Sequence, residues 1–473
     1  MGVTNGGPGR AVVVGSGLAG LECALELAGS GWATTVVTAG RAGRDGATHR
    51  VHGLTPWILL TAPWVRGDSP DRFLADLRER GQGLERAGLA EVLAENAHAA
   101  ARELIEVLDL APVTDEPVTL PGDTVARGLR CRPRDRHLLL LPLLQRCAAA
   151  GVSFRERTLV SGLLLAGGGV VGATLFGRGG AGPEQVLADA VVLACGGSGA
   201  VFPVTTAPRW CRGSGLAVAG SAGALLHRPD LTQALPVTAA PPLYFPTSAA
   251  LVAATIWIGG RTLPRGRDLE ATTLAIARAG RDGITAFLDL DGGAEGLLPP
   301  RLRAGALAGA GGRVALAVAQ HHGIGGVAID AWGRTSLAGL YACGEAAGGV
   351  QGRRRTMGTG LLEAAVFGRR AAQAAVRDGA RKGGGRAEPP RVAAPPLPVD
   401  ADLLERRLDE LLRPLVVERP AAAAARAVAE LEAWPARPGG DGCADDRALL
   451  AAIRRQAAVY ILGGGLGDAR RGS

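Results

Sequence analysis

Near the N-terminus the apolar positions change from a strand-like run to a helical spacing and back. The apolar run at residues 11–14 leads into the glycine-rich turn GSGLAG at residues 15–20. The next segment, LECALELAGSG, spaces its apolar residues three and four apart, which is typical of an amphipathic helix. A second apolar run, TTVVT, ends at Thr38. The order strand, glycine turn, helix, strand predicts one βαβ unit of a parallel sheet.

Helical and strand-like segments alternate through the next part of the chain. Residues 81–111 keep apolar positions at helical spacing, and the segment LLLLPLLQRCAAAG at 138–151 predicts another helix. Strand-like segments follow over residues 152–175. The run AVVLACGG at residues 190–197 is apolar until it ends in a glycine pair, so it predicts a buried strand.

The character of the chain changes after residue 223 and returns near residue 314. Prolines, short apolar runs and an arginine-dense piece fill residues 224–313, which predicts an inserted cap. Residues 323–367 then contain an apolar strand, a short buried strand, Gly344-Glu345 and a helix that opens near Gly360. The predicted fold is α/β, with a Rossmann-like dinucleotide-binding domain, an inserted α+β capping domain and a helical C-terminal domain. The predicted boundaries are 1–223 and 314–380 for the dinucleotide-binding domain, 224–313 for the cap, 381–398 for a linker and 399–473 for the helical domain.

The glycine turn carries the first chemical signal. Gly15 suits a tight turn, Gly17 lets the backbone approach a pyrophosphate, and Gly20 lets helix and strand pack closely. The acidic residue that commonly follows about 20 positions later, to hold a ribose hydroxyl, is absent. Thr38 stands at the end of that strand instead.

Composition excludes several classes of function. The net charge of +8 comes almost entirely from arginine, and Lys382 is the only lysine, so a Walker A loop and Schiff-base chemistry are excluded. The arginines are dispersed and only 4% of residues are aromatic, which disfavours nucleic-acid binding. The seven cysteines contain no CxxC pair, and no metal site is predicted. No apolar run has membrane-spanning length and the start has no signal-peptide layout, so we expect a cytoplasmic protein.

Several motifs in a consistent order resemble the flavoprotein family of L-aspartate oxidase and the flavin subunits of succinate dehydrogenase and fumarate reductase. They are GSGLAG, VVLACGGSG followed by TTAP, HHGIGGVAID, GRTSLAGLYACGEAAGG and LLEAAVFG, spread between about residues 11 and 370. The resemblance implies bound FAD, with the helix start at residues 360–362 facing the isoalloxazine. The implied cofactor contacts are Gly15, Gly17, Leu18, Ala19, Gly20, Thr38, Ala194, Gly196, Gly197, Glu345, Gly360, Leu361 and Leu362.

The resemblance also implies the reaction and its catalytic residues. L-aspartate would be oxidised to iminoaspartate by hydride transfer to the flavin, as the first step toward quinolinate and NAD. Arg355 would hold a substrate carboxylate, His321 matches the family histidine, and Arg267 matches a cap arginine, with Arg265 as its neighbouring rival. Oxygen or fumarate would be the electron acceptor, and quinolinate synthase a pathway partner.

The substrate motifs depart from the family pattern more than the cofactor motifs do. Leu235 stands where the family has a histidine that binds a substrate carboxylate, and the apolar run LVAATIWIGG replaces a charged segment. The family's glutamate-containing loop has no clear counterpart around RGLRCRPRDRH. Three hypotheses therefore stay open: an L-aspartate oxidase, a flavin enzyme for a more apolar substrate, and a flavin-binding protein with little turnover.

Overall fold

A computed structural model defines the architecture. It describes residues 9–54, 57–63, 67–114, 116–120, 122–134, 139–177, 181–239, 254–264, 268–289, 313–379, 390–395, 397–398, 400–437 and 446–469. The helices α1 to α11 are Leu18–Gly29, Ala47–Leu54, Pro70–Gly81, Leu89–Val107, Leu141–Ala149, Ser214–Ser221, Leu269–Arg281, Gly360–Gly379, Ala401–Leu412, Ala421–Glu432 and Asp446–Ala469. The strands β1 to β22 are Arg10–Val14, Ala33–Val37, Ile58–Thr61, Leu110–Pro112, Gly128–Pro133, Ser153–Arg155, Thr158–Ala166, Gly169–Gly177, Ala181–Leu187, Ala190–Leu193, Leu226–His227, Thr232–Thr238, Thr255–Ile258, Arg261–Leu263, Ala286–Asp289, Arg313–Gly323, Gly326–Ala328, Leu340–Ala342, Ala347–Gly348, Arg391–Ala393, Leu397–Pro398 and Ala436–Arg437.

A five-stranded parallel sheet lies at the centre, in the order β18-β10-β1-β2-β6. Helices α1 and α8 pack against each other and bury Leu21, Leu27 and Phe367 completely. Because the strands are parallel, the turns that follow β1, β10 and β18 meet at one edge of the sheet, which is where ligands bind in open α/β sheets.

A second, antiparallel sheet has the order β12-β16-β15-β13-β14, and α7 packs on it. Its own small core includes Leu235, Ile276 and Leu288. Strand β16 belongs to this sheet although it begins at Arg313, where the sequence placed the end of the cap. The division of the chain into domains stays a prediction.

Helices α9, α10 and α11 pack together near the C-terminus. Their shared core includes Leu404, Leu408, Leu431 and Ile461, and Phe202 from the first half of the chain joins it. The mixed α/β fold with a helical C-terminal part is therefore confirmed. Among the described residues, none of the helices has the length and apolar character needed to cross a membrane.

The helix expected over residues 81–111 is shorter than predicted. Helix α3 ends at Gly81, and α4 begins only at Leu89. Between them Gln82, Gly83 and Gly88 have φ values of 52°, 70° and 83°. Left-handed backbone cannot continue a right-handed helix, so residues 82–88 are not part of α4, although the apolar spacing had placed the helix start at residue 81.

Candidate active site

The turn after β1 forms one wall of the site. Gly15 has φ +114°, and a Cβ there would lie 2.2 Å from the carbonyl oxygen of Ala194. A Cβ on Gly20 would lie 2.0 Å from the carbonyl oxygen of Gly15. Only glycine fits at both places, and its absence of a side chain brings the start of α1 close to the turn.

The N-terminus of α1 is suited to an anion. Its N-cap residue, Gly17, makes no side-chain hydrogen bond to the helix, and the first turn contains no acidic residue. Both Gly17 and Leu18 line a cavity at the sheet edge. Backbone N–H groups and the helix dipole at such a terminus favour a bound phosphate or pyrophosphate.

Thr38 stands where the motif commonly has an acid that binds a ribose, and it belongs to a group of hydroxyls near the glycine turn. The Ser16 hydroxyl donates to Thr38 Oγ1 at 3.0 Å, and the Gly43 N–H donates to Ser16 Oγ at 3.2 Å. Thr48 Oγ1 accepts from the Leu18 N–H at 3.3 Å. The neutral hydroxyl of Thr38, directly after β2, therefore occupies the position at which the motif commonly has a carboxylate.

Glu345 lines the same cavity, in the turn after β18. Its Oε1 accepts from the Gly323 N–H at 2.9 Å and lies 3.3 Å from Nδ1 of His322. Burial raises the pKa of Glu345 to about 7, although the Gly323 hydrogen bond and the charge of Arg355 act against the rise. A Cβ on Gly197 would lie 2.1 Å from the same Oε1, so Gly197 leaves room for this carboxyl group.

Two consecutive histidines reach the same cavity because β16 contains a bulge. Gln233 pairs with His322 and Ala234 pairs with Gln320, so His321 is the additional residue of β16 at this point of the ladder. Neighbouring residues of a regular strand point to opposite faces, and a bulge removes that alternation. Thr206 Oγ1 lies 2.8 Å from His321 Nδ1. Burial, helped by Arg355, lowers the pKa of His321 to about 3 and lowers that of His322, so both imidazoles are neutral near neutral pH.

The first cavity, of about 220 Å³, brings most of the predicted residues together. Those that line it are Gly15, Gly17, Leu18, Ala19, Thr38, Ala194, Gly196, His321, Glu345, Arg355, Gly360 and Leu361. Gly20 and Gly197 instead make the close packing contacts described above. The structure does not bring the Leu362 side chain to the cavity, because that side chain has no exposed surface and packs in the main core.

These residues fit FAD. The start of α1, where Gly17 provides no side-chain cap, can hold a pyrophosphate. The Thr38 hydroxyl can meet a ribose, and the start of α8 at Gly360 lines the same cavity. A side chain at Gly15 would fill the space in the turn that the cofactor would occupy. Among the described residues, no group of His, Cys, Asp or Glu is arranged to hold a metal ion.

Arg355 belongs to the first cavity and to a second one beside it. Its Nη1 donates to Gln233 Oε1 at a long 3.5 Å. Its Nε is buried and has no hydrogen-bond partner within the described part of the chain. Burial lowers the pKa of Arg355, whereas the charges of Glu345 and Glu363 raise it. The guanidinium is therefore poorly satisfied by the protein itself and suits an anionic ligand.

The other arginines of this region have different surroundings. Arg353 is exposed, and Arg354 forms ion pairs with Asp268, at 3.2 Å, and with Glu270. The predicted catalytic residue Arg267 and its rival Arg265 lie outside the described residues, so the role of Arg267 stays a prediction.

The second cavity, of about 430 Å³, extends from Arg355 between β12, α7 and the C-terminal helices. Leu235 lines it from β12, and Gln320 lines it from β16. Val416 and Leu462 complete the wall from the C-terminal side. The residue that replaces the expected histidine therefore faces this space as a hydrocarbon side chain.

The sequence did not reveal several residues of the site. The doublet His321-His322 was visible, yet only the bulge explains why both members line the first cavity. Gln233 lies in the segment that departs from the family pattern, and Gln320 directly precedes HHGIGGVAID, so the sequence assigned a role to neither. Glu363 stood inside LLEAAVFG, but its importance depends on burial, which the motif does not show.

Glu363 supports the loop that carries Arg355. It lies in the first turn of α8 and accepts from Gln351 Nε2 at 2.8 Å, while Gln351 Oε1 accepts from the Thr356 N–H at 3.1 Å. Burial raises the pKa of Glu363 to about 7, against the opposing effects of Gln351 and Arg355. The carboxyl group thus holds its proton more firmly in the folded protein than in the unfolded chain.

The Glu363→Gln variant should become more stable relative to the parent protein as the pH rises. Because the folded-state pKa is raised, the parent gains stability from this proton below about pH 4.5 and loses that gain as the pH rises toward 7. The amide cannot titrate, so the difference should grow by up to about 3 kcal/mol, since one pKa unit corresponds to about 1.4 kcal/mol. Urea unfolding of both proteins between about pH 5 and 8 measures it. Glu116→Gln, at an exposed position, is the control, and identical pH profiles for Glu363→Gln and the parent would contradict the assignment.

Comparisons with known proteins agree with this geometry. The model of a family described as FAD binding domain matches residues 10–254 and 298–361. The L-aspartate oxidase of Caulobacter vibrioides is 31% identical over 431 residues, which cover 82% of this chain and 79% of that protein. One component of the fumarate reductase (CoM/CoB) of Methanothermobacter marburgensis is 27% identical over 409 residues, covering 78% of this chain and 72% of that protein.

A solved structure shows the same fold over nearly the whole chain. A chain of a quinol–fumarate reductase with menaquinol molecules superposes with a TM-score of 0.80, covering 97% of this chain and 90% of its own at 18% identity. The expected FAD cofactor and oxidoreductase class are confirmed by the family match and by the relatives. The chain belongs to the FAD-dependent oxidoreductase family that includes the L-aspartate oxidases and the fumarate reductase flavoproteins.

Proposed function

We propose that this chain dehydrogenates a carboxylic acid that is bound at Arg355, with a hydride passing from the acid to FAD. L-Aspartate, oxidised to iminoaspartate, is the first candidate, because relatives named L-aspartate oxidase match most of the chain. The observation that carries the proposal is the place of Arg355, which lines both cavities with a buried Nε that no described residue binds.

Different residues of the two cavities would have different roles in this reaction. FAD supplies a two-electron acceptor when bound. The planar guanidinium of Arg355 can hold a carboxylate through two parallel hydrogen bonds. The start of α8 at Gly360 favours nearby negative charge through its N–H groups and dipole. His321 and His322, neutral in this environment, can donate or accept a hydrogen bond without adding charge.

A second candidate substrate is an acid whose remaining part is more apolar. Leu235 favours it, because this buried side chain lines the second cavity and has no group that could bind a second carboxylate. A flavin-binding protein with little turnover is the outcome that would replace both candidates. Oxygen or fumarate as electron acceptor, quinolinate synthase as pathway partner and a cytoplasmic location remain predictions.

Anaerobic addition of L-aspartate to the purified flavoprotein should bleach the absorbance of its oxidised flavin. Succinate and buffer are the parallel additions, and re-oxidation by oxygen or by fumarate then identifies the acceptor. Bleaching by any carboxylic acid supports the proposal. A flavin that dithionite reduces but that no acid reduces would overturn it.

A further inference from the structure

The second cavity is lined by several parts of the chain. They include strands β12 and β16, helix α7, the loop that carries Arg355, and residues between 416 and 424 together with Ile461 and Leu462 of α11. Arg355 lies where this cavity meets the first one. A ligand in the second cavity can therefore place its charged end beside the cofactor cavity and its remainder toward the C-terminal helices.

Several arginines that line the second cavity are already engaged by the protein. Arg228 is paired with Asp230 at 2.7 Å. Arg419 donates to the carbonyl oxygen of the same Asp230. Arg80 donates to the carbonyl oxygen of Arg355 at 2.9 Å. These three arginines therefore stabilise the cavity wall through contacts within the protein.

Arg355 is the partly buried cation that the described wall residues leave for a ligand. Arg354 is paired with two acids, as described above, and Arg353 is exposed to solvent. The Nε of Arg355 is buried and has no hydrogen-bond partner among the described residues. Among the described residues, Arg355 is thus the cation best placed to bind a carboxylate in this cavity.

The cavity also contains a buried acceptor. Gln320 is 1% exposed, and its Nε2 donates to the carbonyl oxygen of Val416. That bond fixes the orientation of the amide, because only the nitrogen can donate to a carbonyl. Its Oε1 then has no hydrogen-bond partner among the described residues. Leaving such an acceptor unsatisfied is costly, so it suits a ligand N–H or O–H.

Part of the remaining wall is hydrocarbon, beside polar and charged residues such as Asp268, Thr273 and Glu418. Leu235, Val416 and Leu462 are 2%, 6% and 1% exposed, and Ile324 and Val417 line the same space. A second carboxylate against these side chains would lose its hydration without gaining a partner. An apolar side chain in the same place would instead bury its surface favourably.

We infer that the second cavity takes an α-amino acid with an apolar side chain. Its carboxylate binds Arg355, its α-amino N–H donates to Gln320 Oε1, and its side chain packs against Leu235, Val416 and Leu462. The inference rests on the proposed function and names the substrate class of that same site. The inferred substrate differs from L-aspartate in its side chain, which is apolar and carries no second carboxylate.

In the reaction that follows from this binding mode, FAD accepts the two electrons that the amino acid loses. The Cα–H bond breaks and its electron pair leaves with the hydrogen nucleus as hydride to FAD. The neutral amine loses an N–H proton to water, and a C=N double bond forms between Cα and nitrogen. The amino acid is thus oxidised by two electrons to its imino acid, and FAD is reduced by two electrons.

The first test compares substrates for anaerobic flavin reduction by the holoprotein. L-Leucine and L-methionine should reduce the flavin at concentrations about tenfold lower than L-aspartate, because the apolar wall discriminates between them. The corresponding 2-hydroxy acid of leucine tests whether O–H replaces N–H. Reduction by L-aspartate at lower concentration than L-leucine would overturn the inference and leave the proposed function standing. No reduction by any acid would overturn both.

The second test measures binding without chemistry. α-Methyl-L-leucine has the carboxylate and amine but no Cα hydrogen, so calorimetry on the oxidised holoprotein reports its affinity alone. It should bind about tenfold more tightly than 4-methylpentanoate, which lacks the amine. Gln320→Met should remove this difference, with flavin content and circular dichroism showing that the variant is folded. A difference that survives in Gln320→Met would contradict the role of Gln320.

A third variant tests the apolar wall. Leu235→His introduces a group that can bind a second carboxylate and should shift the preference toward L-aspartate by about tenfold. Leu235→Met keeps a hydrocarbon of similar volume and should keep the preference for L-leucine. Equal preferences in the two variants would contradict the assigned contact between Leu235 and the substrate side chain.

Discussion

Replacing Arg355 by alanine should leave the flavin bound and slow its reduction by substrate roughly a hundredfold or more at low substrate concentration. Truncating one partner of a desolvated charge pair costs about 2–5 kcal/mol, and every 1.4 kcal/mol is about tenfold. The residues that we expect to hold the pyrophosphate end of the cofactor, at the start of α1, are separate from Arg355. Anaerobic stopped-flow absorbance measures the reduction rate.

Arg353→Ala is the matched control for this prediction. Arg353 lies two residues away in the same loop and also lines the second cavity, but its side chain is exposed to solvent. Arg353→Ala should reduce its flavin at a rate within about twofold of the parent protein's rate, as expected of a substitution at an exposed position. Dithionite should reduce the flavin of both variants. An Arg355→Ala protein with the reduction rate of the parent would remove the main support for the proposed function.

Replacing Gly15 by alanine should yield protein without FAD. The new Cβ would lie 2.2 Å from the carbonyl oxygen of Ala194, which is backbone and cannot rotate away, and φ +114° is strained for any L side chain. The turn must therefore shift, and with it the α1 terminus that fits the pyrophosphate. The ratio of flavin to protein absorbance after purification measures the loss.

Gly31→Ala distinguishes the effect of backbone strain at positive φ from the effect of a steric clash of the new Cβ. Gly31 also has positive φ, at +80°, but a Cβ there would meet nothing within 4 Å. This variant should lose about 1 kcal/mol of stability and keep its FAD. If both variants retained FAD equally, the close approach at Gly15 would not matter for the cofactor. If both lost it, strain alone would be responsible.

The elements around the cofactor could be predicted because their signals are local. The change from strand-like to helical spacing around GSGLAG located β1 and α1, and the glycine pair after residue 193 marked the end of β10. The start of α8 at Gly360 was likewise predicted. Helix α4 was predicted too long, because the left-handed residues Gln82 and Gly88 leave the apolar spacing almost unchanged.

The substrate side depends on contacts that no local pattern contains. The bulge at His321 is a property of the pairing between β12 and β16. The free acceptor of Gln320 follows from its bond to Val416, which is 96 residues away in the chain. The resemblance drew attention to Leu235 by contrast with the family pattern, but only the cavity shows which other side chains accompany it.

The walls of the second cavity have a consequence for how such an enzyme can diversify. Residues 416–424 line this cavity, and within the described part of the chain they contribute nothing to the first one. Insertions, deletions and exchanges in this short segment can therefore alter which acid enters while the cofactor cradle is inherited unchanged. A chimaera that carries the corresponding segment of a relative should therefore acquire that relative's substrate selectivity and keep its own FAD binding.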